Sequence, residues 1–439
     1  MKNHLYIFLF ILLMASLAGC SADSGHRSKG PSKVELKKET TGWQLYANGE
    51  PFFIKGAGLE CGNIEALADH GGNAMRTWRT DTRCRTGEEI LNEAHQNNVM
   101  VCMGLEIARE RHGFDYDDSA AVQKQYEYAK REVLKYKDHP ALLAWGIGNE
   151  LNLRATNPRV WDAVNDIARM IHDVDGHHPA TTMIAGVSSD VIGEITTRAP
   201  DLDFLSIQMY GSVDRAPELI ADAGYTGPYL FTEWGATGHW EVRSTGWNAP
   251  IEQTSSEKAD AILERYKRAI LDEADRCMGS YVFLWGQKQE RTPTWYGLFT
   301  EDGRETEAVD AMEYLWTGSW PEHRAPRLTN ITVDGAGRYD DVRLAPAQET
   351  TAVLATDATG RDDVEARAEI LPEATVLGEG GDFEPRPEAI PGLVRTASPG
   401  SVEFAAPGEP GAYRLFVYLL DGSNHAATAN LPFFVDARH

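Results

Sequence analysis

The chain has 439 residues, a formal net charge of −24, 42% hydrophobic residues and 25% charged residues. This composition is typical of a globular protein and excludes a disordered, collagenous or multi-span membrane chain. The negative charge excludes a general binder of nucleic acid or anionic lipid, because polyanions attract basic surfaces. The length predicts about two domains if one of them is a large barrel.

The N-terminus carries the pattern of a lipoprotein signal. An apolar run over residues 5–18 follows Lys2 and is shorter than the roughly 20 residues that a membrane-spanning helix needs. It ends in the tetrapeptide LAGC, which resembles a bacterial lipobox and whose last residue is Cys20. We therefore expect residues 1–19 to be a signal peptide and Cys20 to be lipidated. Ser21 resembles a signal for the outer membrane, so the expected location is extracytoplasmic.

Two further segments flank the central part of the chain. Residues 20–40 are polar and rich in Ser, Gly and Lys, which predicts a tether. Residues 325–439 contain no Trp, Cys, Met or Lys, and short β-rich runs such as 412–419 and 430–435 alternate there with Pro and Gly turns. This pattern predicts a small all-β, immunoglobulin-like sandwich. We expect a spacer, with a carbohydrate-binding module as the alternative.

Residues 41–324 alternate short apolar runs with amphipathic stretches. The predicted strands are 52–57, 74–78, 99–105, 142–147, 180–184, 203–209, 229–232 and 280–285. Helical patterns cover 88–96, 119–135, 158–174, 256–276 and 306–316. Eight strands with interposed helices over this length predict a (β/α)8 barrel. A doubly wound open sheet is the alternative, although Gly146-Ile147-Gly148 lacks the third glycine of a dinucleotide-binding fingerprint.

Catalytic residues of such barrels lie at the C-terminal ends of the strands. The side chains at these positions are Arg76, Glu106, Asn149, Glu150, Tyr210, Glu233 and Trp285. The two carboxylates at the ends of strands four and seven, Glu150 and Glu233, suit cleavage of a glycosidic bond. One can protonate the leaving oxygen while the other attacks the anomeric carbon.

Two motifs give this pattern a specific resemblance. The run WGIGNE, which ends in Glu150, resembles the strand-four acid/base motif of the clan of retaining (β/α)8 glycoside hydrolases. The run FTEWG, which contains Glu233, resembles the strand-seven nucleophile motif of that clan. Residues 46–56 and 73–78 are similar to the start of the barrel domain of glycoside hydrolase family 2, and families 5 and 17 are relatives in the same clan.

The resemblance implies a role for each strand-end residue. Glu150 would be the acid/base and Glu233 the nucleophile. Arg76 and the Tyr210 hydroxyl would hold Glu233 ionised, while apolar surroundings and the charge of Glu233 would raise the pKa of Glu150. Asn149 would bind the sugar 2-hydroxyl.

Aromatic residues near the same strand ends are candidates for stacking on sugar rings. We expect Trp285 to form the floor of the sugar site, and some of the loop tryptophans to stack on sugar rings. These are Trp78, Trp234, Trp240, Trp247 and Trp295. Gln208 and Gln287 are further candidate sugar contacts. No motif for a metal or cofactor is present, so neither is expected.

The function expected from these residues is hydrolysis of a β-linked polysaccharide or oligosaccharide, with a β-1,3-glucan as the first candidate. A transglycosylase would use the same residues. The alternative from a different class is a surface glycan-binding lipoprotein without catalysis. Intact Glu150 and Glu233 argue against it, because binding requires neither.

The cysteines other than Cys20 fall into two groups. Cys102 and Cys277 lie in apolar surroundings and are expected to be buried thiols. Cys61 follows the first strand and Cys84 the second, so their loops are neighbours at the catalytic rim. Because disulfides persist outside the cytoplasm, we expect a Cys61–Cys84 disulfide.

Overall fold

A computed structural model describes residues 30–437. The predicted signal peptide, Cys20 and the first part of the predicted tether lie outside these residues. Within the described range, no helix combines the length and apolar character that crossing a membrane requires.

The described chain begins with a small three-stranded antiparallel sheet. Its strands are β1 (Val34–Glu39), β2 (Gly42–Ala47) and β3 (Glu50–Pro51). Val34 and Leu45 pack on residues at the starts of the barrel strands, such as Ile54 and Phe204. This sheet therefore covers the end of the barrel opposite the predicted catalytic rim. The tether predicted over 20–40 is wrong for its last residues, because alternating apolar side chains place 34–39 in a strand.

Eight parallel strands close into a barrel, which confirms the predicted fold and rejects the open sheet. These strands are β4 (Ile54–Gly58), β5 (Ala74–Arg76), β6 (Met100–Leu105), β7 (Leu142–Asn149), β8 (Ala180–Ala185), β9 (Phe204–Gln208), β10 (Tyr229–Glu233) and β11 (Cys277–Val282). The barrel closes because β11 pairs with both β10 and β4. All eight C-terminal ends therefore meet at one rim.

Eight α-helices accompany the strands of the described chain. They are α1 (Ile64–Asp69), α2 (Gly87–Gln96), α3 (Ser119–Tyr136), α4 (Arg159–Val174), α5 (Ser189–Arg198), α6 (Ala216–Asp222), α7 (Ser255–Tyr266) and α8 (Glu307–Thr317). The large apolar layer between strands and helices buries Trp145, Trp161 and Phe231 completely or nearly so. Burial of this layer is the main favourable contribution to folding of the barrel.

The C-terminal strands form two stacked sheets. Their bounds are β12 (Glu305–Thr306), β13 (Leu328–Val333), β14 (Ala336–Gly337), β15 (Arg343–Leu344), β16 (Glu349–Thr356), β17 (Val364–Pro372), β18 (Val394–Ser398), β19 (Ser401–Ala405), β20 (Gly411–Asp421) and β21 (His425–Val435). One sheet has the order β12-β21-β20-β17 and the other β14-β13-β16-β19-β18. An apolar core that includes Phe404 and Phe433 lies between them, so the predicted sandwich is confirmed.

The sandwich packs directly on the barrel domain. The Asn430 amide donates to the buried Glu252 carboxylate at 2.6 Å, and the buried Arg414 guanidinium donates to the Pro250 carbonyl at 2.9 Å. Strand β12, which belongs to the segment leading into α8, pairs with β21. Buried polar bonds of this kind order both partners. The sandwich is therefore packed on the barrel through buried polar groups.

Candidate active site

Both predicted catalytic carboxylates follow an irregularity in strand pairing. The register between β7 and β8 shifts between Gly146 and Asn149, immediately before Glu150. The register between β10 and β9 shifts just before Glu233. Bulges of this kind commonly reorient side chains next to active sites. Glu150 also has a φ of 52°, a left-handed conformation that is unusual for a residue with a side chain.

Four side-chain donors hold the Glu233 carboxylate. Arg76 Nη1, Trp78 Nε1 and Gln208 Nε2 donate to Oε1 at 3.1, 2.8 and 3.0 Å, and the Tyr210 hydroxyl donates to Oε2 at 2.8 Å. Donors on both oxygens match an ionised carboxylate. Burial, followed by the charge of Glu233, raises the pKa of Tyr210 well above its ordinary value, so this hydroxyl keeps its proton.

Arg76 and Gln208 connect Glu233 to Asn149. Arg76 Nη2 and Gln208 Nε2 donate to Asn149 Oδ1 at 2.7 and 2.8 Å. Arg76 is completely buried and is stacked on the Trp78 ring, with 4.6 Å between the guanidinium carbon and the ring centroid. The structure therefore brings Arg76, Asn149 and Tyr210 together with Glu233.

Glu150 lies in a different environment at the end of β7. Burial and the negative charge of Glu233 raise its pKa to about 8. The nearby guanidinium groups of Arg111 and Arg109 oppose this shift. A carboxyl group with a pKa this high stays protonated at neutral pH and can act as a general acid.

An aromatic cluster borders the Glu233 side of the site. Phe283 lies edge-on to Trp78 and Tyr210, with ring centroids 5.8 and 5.9 Å apart. Trp240, whose exposed fraction is 60%, lies edge-on to Tyr210 at 5.5 Å. Trp78 serves mainly as a donor to Glu233, whereas Trp240 presents an accessible ring at the rim.

Three of the predicted sugar contacts are wrong. Trp285 packs against Phe299 and Trp316 in the layer behind the barrel wall, and Trp234 packs against Tyr266 in that same layer. Trp295 is 1% exposed and donates from Nε1 to the Thr237 carbonyl at 2.9 Å, so it supports the rim from beneath. The aromatic residue that does follow β11 into the site is Phe283 rather than Trp285.

The predicted eighth strand, 280–285, runs past Phe283, so the sequence places Trp285 at its end. Strand β11 ends at Val282, and Phe283 continues as an isolated bridge to Gly235. Trp285 donates its backbone N–H to the Gly58 carbonyl, and its side chain packs against Phe299 and Trp316, away from the rim. The sequence favours Trp285 over Phe283 by residue type alone, and the spacing of the residues does not distinguish the two.

Glu241 is a positioning residue that the sequence did not reveal. Its carboxylate accepts hydrogen bonds from the backbone N–H groups of Gly211, Ser212 and Gly238 at 2.6, 2.9 and 2.9 Å. It thereby joins the loop after Tyr210 to the loop that follows β10. Gln287, in contrast, donates from Nε2 to the Pro293 carbonyl at 2.8 Å.

A disulfide joins the loops after β4 and β5 at the same rim. Cys61 and Cys84 are bonded, with their Cα atoms 5.6 Å apart, as the sequence predicted. Cys102 and Cys277 are buried free thiols. Over residues 30–437, no group of three or more His, Cys, Asp or Glu side chains is placed to hold a metal ion.

The sequence resembles known proteins over a limited length. No family model matches the chain. The probable mannan endo-1,4-beta-mannosidase A-2 of Aspergillus terreus is 24% identical over 172 residues, which cover 33% of this chain and 43% of that protein. The chain therefore matches less than half the length of this relative.

Solved structures resemble the chain over a greater length. A β-glucuronidase from Ruminococcus gnavus has a TM-score of 0.50 at 15% identity and covers 65% of this chain and 52% of its own. A calcium-binding mutant of β-glucuronidase 2 from Bacteroides uniformis has a TM-score of 0.51 at 12% identity and covers 92% of this chain and 48% of its own. The chain spans about half the length of these structures. At such identities the likeness shows the fold, and the resemblance to the clan of retaining (β/α)8 glycoside hydrolases is confirmed at that level.

Proposed function

We propose that the protein is a retaining β-glycosidase that uses Glu233 as nucleophile and Glu150 as acid/base. The observation that carries this proposal is the contrast between the two carboxyl groups. Four donors surround Glu233, whereas burial and the charge of Glu233 raise the pKa of Glu150 to about 8. Glycoside cleavage by double displacement needs one ionised and one protonated carboxyl at the same site.

The reaction proceeds in two displacements. A Glu233 oxygen attacks the anomeric carbon while Glu150 gives its proton to the departing glycosidic oxygen, which leaves a glycosyl ester on Glu233. Formation of the ester removes the negative charge that raises the pKa of Glu150. Glu150 then takes a proton from water as the water oxygen attacks the same carbon, and Glu233 is released.

Asn149 and Arg76 would support the first step. Asn149 accepts from Arg76 and Gln208 through Oδ1, so its Nδ2 group can donate to a sugar hydroxyl next to the reacting carbon. Arg76 offsets the charge of Glu233 before attack and is held in place by its stacking on Trp78. Such preorganised donors reduce the reorganisation needed in the transition state.

The substrate we propose is a β-glucan, with a β-1,3-linked chain as the first to test. The support is the exposed Trp240 ring beside Tyr210, since sugar rings with equatorial hydroxyls have apolar faces that stack on aromatic rings. Trp234 and Trp285 are buried behind the barrel wall and cannot stack on a sugar, whereas the exposed Trp240 ring can.

The test is hydrolysis of 4-nitrophenyl β-glucoside, β-galactoside, β-mannoside and β-glucuronide, together with β-1,3- and β-1,4-glucan oligosaccharides. Proton NMR of the first product should show a retained β-anomer. The matching 2-deoxy-2-fluoro-β-glycosyl fluoride should label Glu233, which peptide mass spectrometry would locate. An inverted product, or a label on another residue, would contradict the mechanism.

The same assay separates the two alternatives. A transglycosylase would give longer oligosaccharides from the glucan while releasing little reducing sugar. If the wild-type protein and the Glu233→Ala variant bind the glucans with equal affinity, and the wild type cleaves none of the panel, the protein is the non-catalytic glycan binder.

We also propose that the mature protein is lipid-anchored through Cys20. The support is the apolar run followed by LAGC in the sequence. In a bacterial host with the lipoprotein pathway, wild-type protein should incorporate radioactive palmitate and partition with membranes, and Cys20→Ser should do neither. Wild-type protein that stays unlabelled would contradict the anchor. Cys277→Ser is the control, because that thiol is buried in the barrel.

A further inference from the structure

The sandwich sends one loop back to the catalytic rim of the barrel. This loop, residues 376–384, lies between β17 and β18 and is here called the sandwich loop. Arg111, in the segment after β6, donates to the Glu379 and Gly380 carbonyls at 3.0 and 3.2 Å and to the Asp382 carboxylate at 2.7 Å. The Arg111 side chain is only 6% exposed, so the loop covers it.

Loops after two other barrel strands hold the same segment. Arg154, which follows β7, donates to the Glu379 carboxylate at 2.6 Å. The Arg291 backbone N–H, which follows β11, donates to the Glu384 carboxylate at 2.6 Å. The Gly378 N–H donates to the Glu384 carboxylate from within the loop. The sandwich loop is therefore fixed from three directions at the end of the barrel where the chemistry is proposed.

Gly380 lies against Glu150. A Cβ atom built at Gly380 would be 3.1 Å from Glu150 Oε2, 2.9 Å from Arg111 Nη2 and 2.6 Å from a Leu153 methyl carbon. Its φ of +54° is in the left-handed region, which glycine adopts readily. The backbone of the sandwich domain thus comes into contact range of the proposed acid/base, with no room for a side chain between them.

The proposed role of Glu150 indicates which part of the substrate lies beside the sandwich loop. On the proposed function, the Glu150 carboxyl must reach the glycosidic oxygen, and the group on the far side of that oxygen is the leaving group. The sugar that becomes attached to Glu233 lies on the other side of the bond. A segment in contact with Glu150 therefore borders the leaving group.

The sandwich loop also exposes apolar side chains. Phe383 is 87% exposed, and Val376 and Leu377 are 59% and 55% exposed. Phe383 has the highest exposed fraction among the large apolar side chains in the described part of the chain. An exposed aromatic ring on a segment that ion pairs hold in place can stack on a sugar ring.

We propose that the sandwich loop forms the leaving-group subsite, with Phe383 stacking on the sugar ring that departs when Glu150 protonates the glycosidic oxygen. This inference rests on the proposed glycosidase function and adds a role for the sandwich, which supplies specificity on the leaving-group side. It also predicts that the enzyme prefers a leaving group with a pyranose ring over a small one.

The test compares two substrates that carry the same β-linked sugar. This sugar is the one whose aryl glycoside the wild-type enzyme cleaves fastest in the panel. One substrate is the glycosyl fluoride, whose leaving group is a single atom, and the other is the β-linked trisaccharide. Phe383→Ala should lower kcat/KM for the trisaccharide about tenfold, mainly through KM, and leave the fluoride within about twofold. Activity on the fluoride reports that the variant is folded. Val353→Ala, an exposed apolar residue on β16, is the control and should change neither substrate.

The outcomes distinguish the two proposals. Unchanged trisaccharide cleavage by Phe383→Ala, or an equal loss on both substrates, would overturn the leaving-group subsite and leave the glycosidase intact. A wild-type enzyme that cleaves neither substrate, or a Glu233→Ala variant that cleaves both, would overturn the glycosidase itself.

Discussion

The ends of β7 and β10 carry the same residue type in opposite settings. Glu233 is 5% exposed and is held by four side chains of the barrel itself. Glu150 has a left-handed backbone conformation and lies near the guanidinium groups of Arg109 and Arg111. A loop of the sandwich lies against its carboxyl group. Four hydrogen-bond donors hold the Glu233 carboxylate in place, whereas burial beside a negative charge raises the pKa of Glu150 and favours its protonated form.

The two glutamates differ in their neighbours, and the proposed roles of nucleophile and acid/base follow from that difference. The Glu233 setting is made by residues of one domain, at the ends of strands that share a closed sheet. The surroundings of Glu150 also include Gly380 of the second domain, which packs on the barrel through buried groups such as Arg414 and Asn430. Variants that alter one setting and leave the other intact can therefore assign the two roles.

The largest effect should come from removing each carboxylate. Glu233→Ala and Glu150→Ala should each lower kcat by at least about a thousandfold, because each removes a separate chemical role. Azide separates them on an activated aryl glycoside. Glu150→Ala should yield the β-glycosyl azide from the covalent intermediate, whereas Glu233→Ala should yield the α-azide by direct displacement. The reverse stereochemistry would exchange the two assignments. Circular dichroism before the assay would confirm that both variants are folded.

The sequence predicted the barrel well because its signals are local. The predicted strands at 99–105 and 142–147 differ from β6 and β7 by no more than two residues at either end, since each is a short apolar run bounded by polar turns. Helices α1, α5 and α6 were missed. With 6 and 7 residues, α1 and α6 are shorter than the window in which a helical period can be recognised, and α5 has only 10 residues.

The site was predicted where it depends on strand ends and missed where it depends on contacts between distant segments. Arg76 and Tyr210 reach Glu233 because parallel strands end at one rim. The sandwich loop and Glu241 gave no signal, because Gly380 lies 230 positions after Glu150 in the chain and Glu241 binds backbone groups rather than a motif. The buried Trp285 shows the limit of residue type as evidence, since the direction of its side chain depends on where β11 ends.

The Tyr210 hydroxyl tests the Glu233 setting alone. Tyr210→Phe removes one donor to a charged carboxylate, an interaction worth about 1.5–3 kcal/mol, so kcat/KM should fall about 10- to 100-fold. Tyr281→Phe is the matched control, because within the described chain the buried Tyr281 hydroxyl has no hydrogen-bond partner. It should stay within about twofold of wild type. Equal losses in the two variants would mean that Tyr210 acts through packing only.

The pH dependence tests the Glu150 setting. Glu150 donates a proton, and its pKa is raised to about 8, so the protonated fraction decreases as pH rises above that value. For a 4-nitrophenyl glycoside, kcat/KM should therefore fall about tenfold per pH unit above about pH 8. A 2,4-dinitrophenyl glycoside needs little help from an acid, and its profile should stay flat through the same range. A shared alkaline limb for both substrates would assign the titration to another group.

The smallest expected effect concerns the contact between the sandwich loop and Glu150. Gly380→Ala places a methyl group 3.1 Å from Glu150 Oε2 and 2.6 Å from Leu153, so the loop must shift. We expect a several-fold loss of kcat/KM and a loss of about 1–2 kcal/mol in the free energy of unfolding, of which about 1 kcal/mol is the cost of the left-handed backbone. Gly392→Ala has the same backbone cost, with a φ of +73° and no atom within 4 Å of the new methyl group. It should therefore lower stability alone. If both variants kept full activity, Glu150 would owe its setting to the barrel, just as Glu233 does.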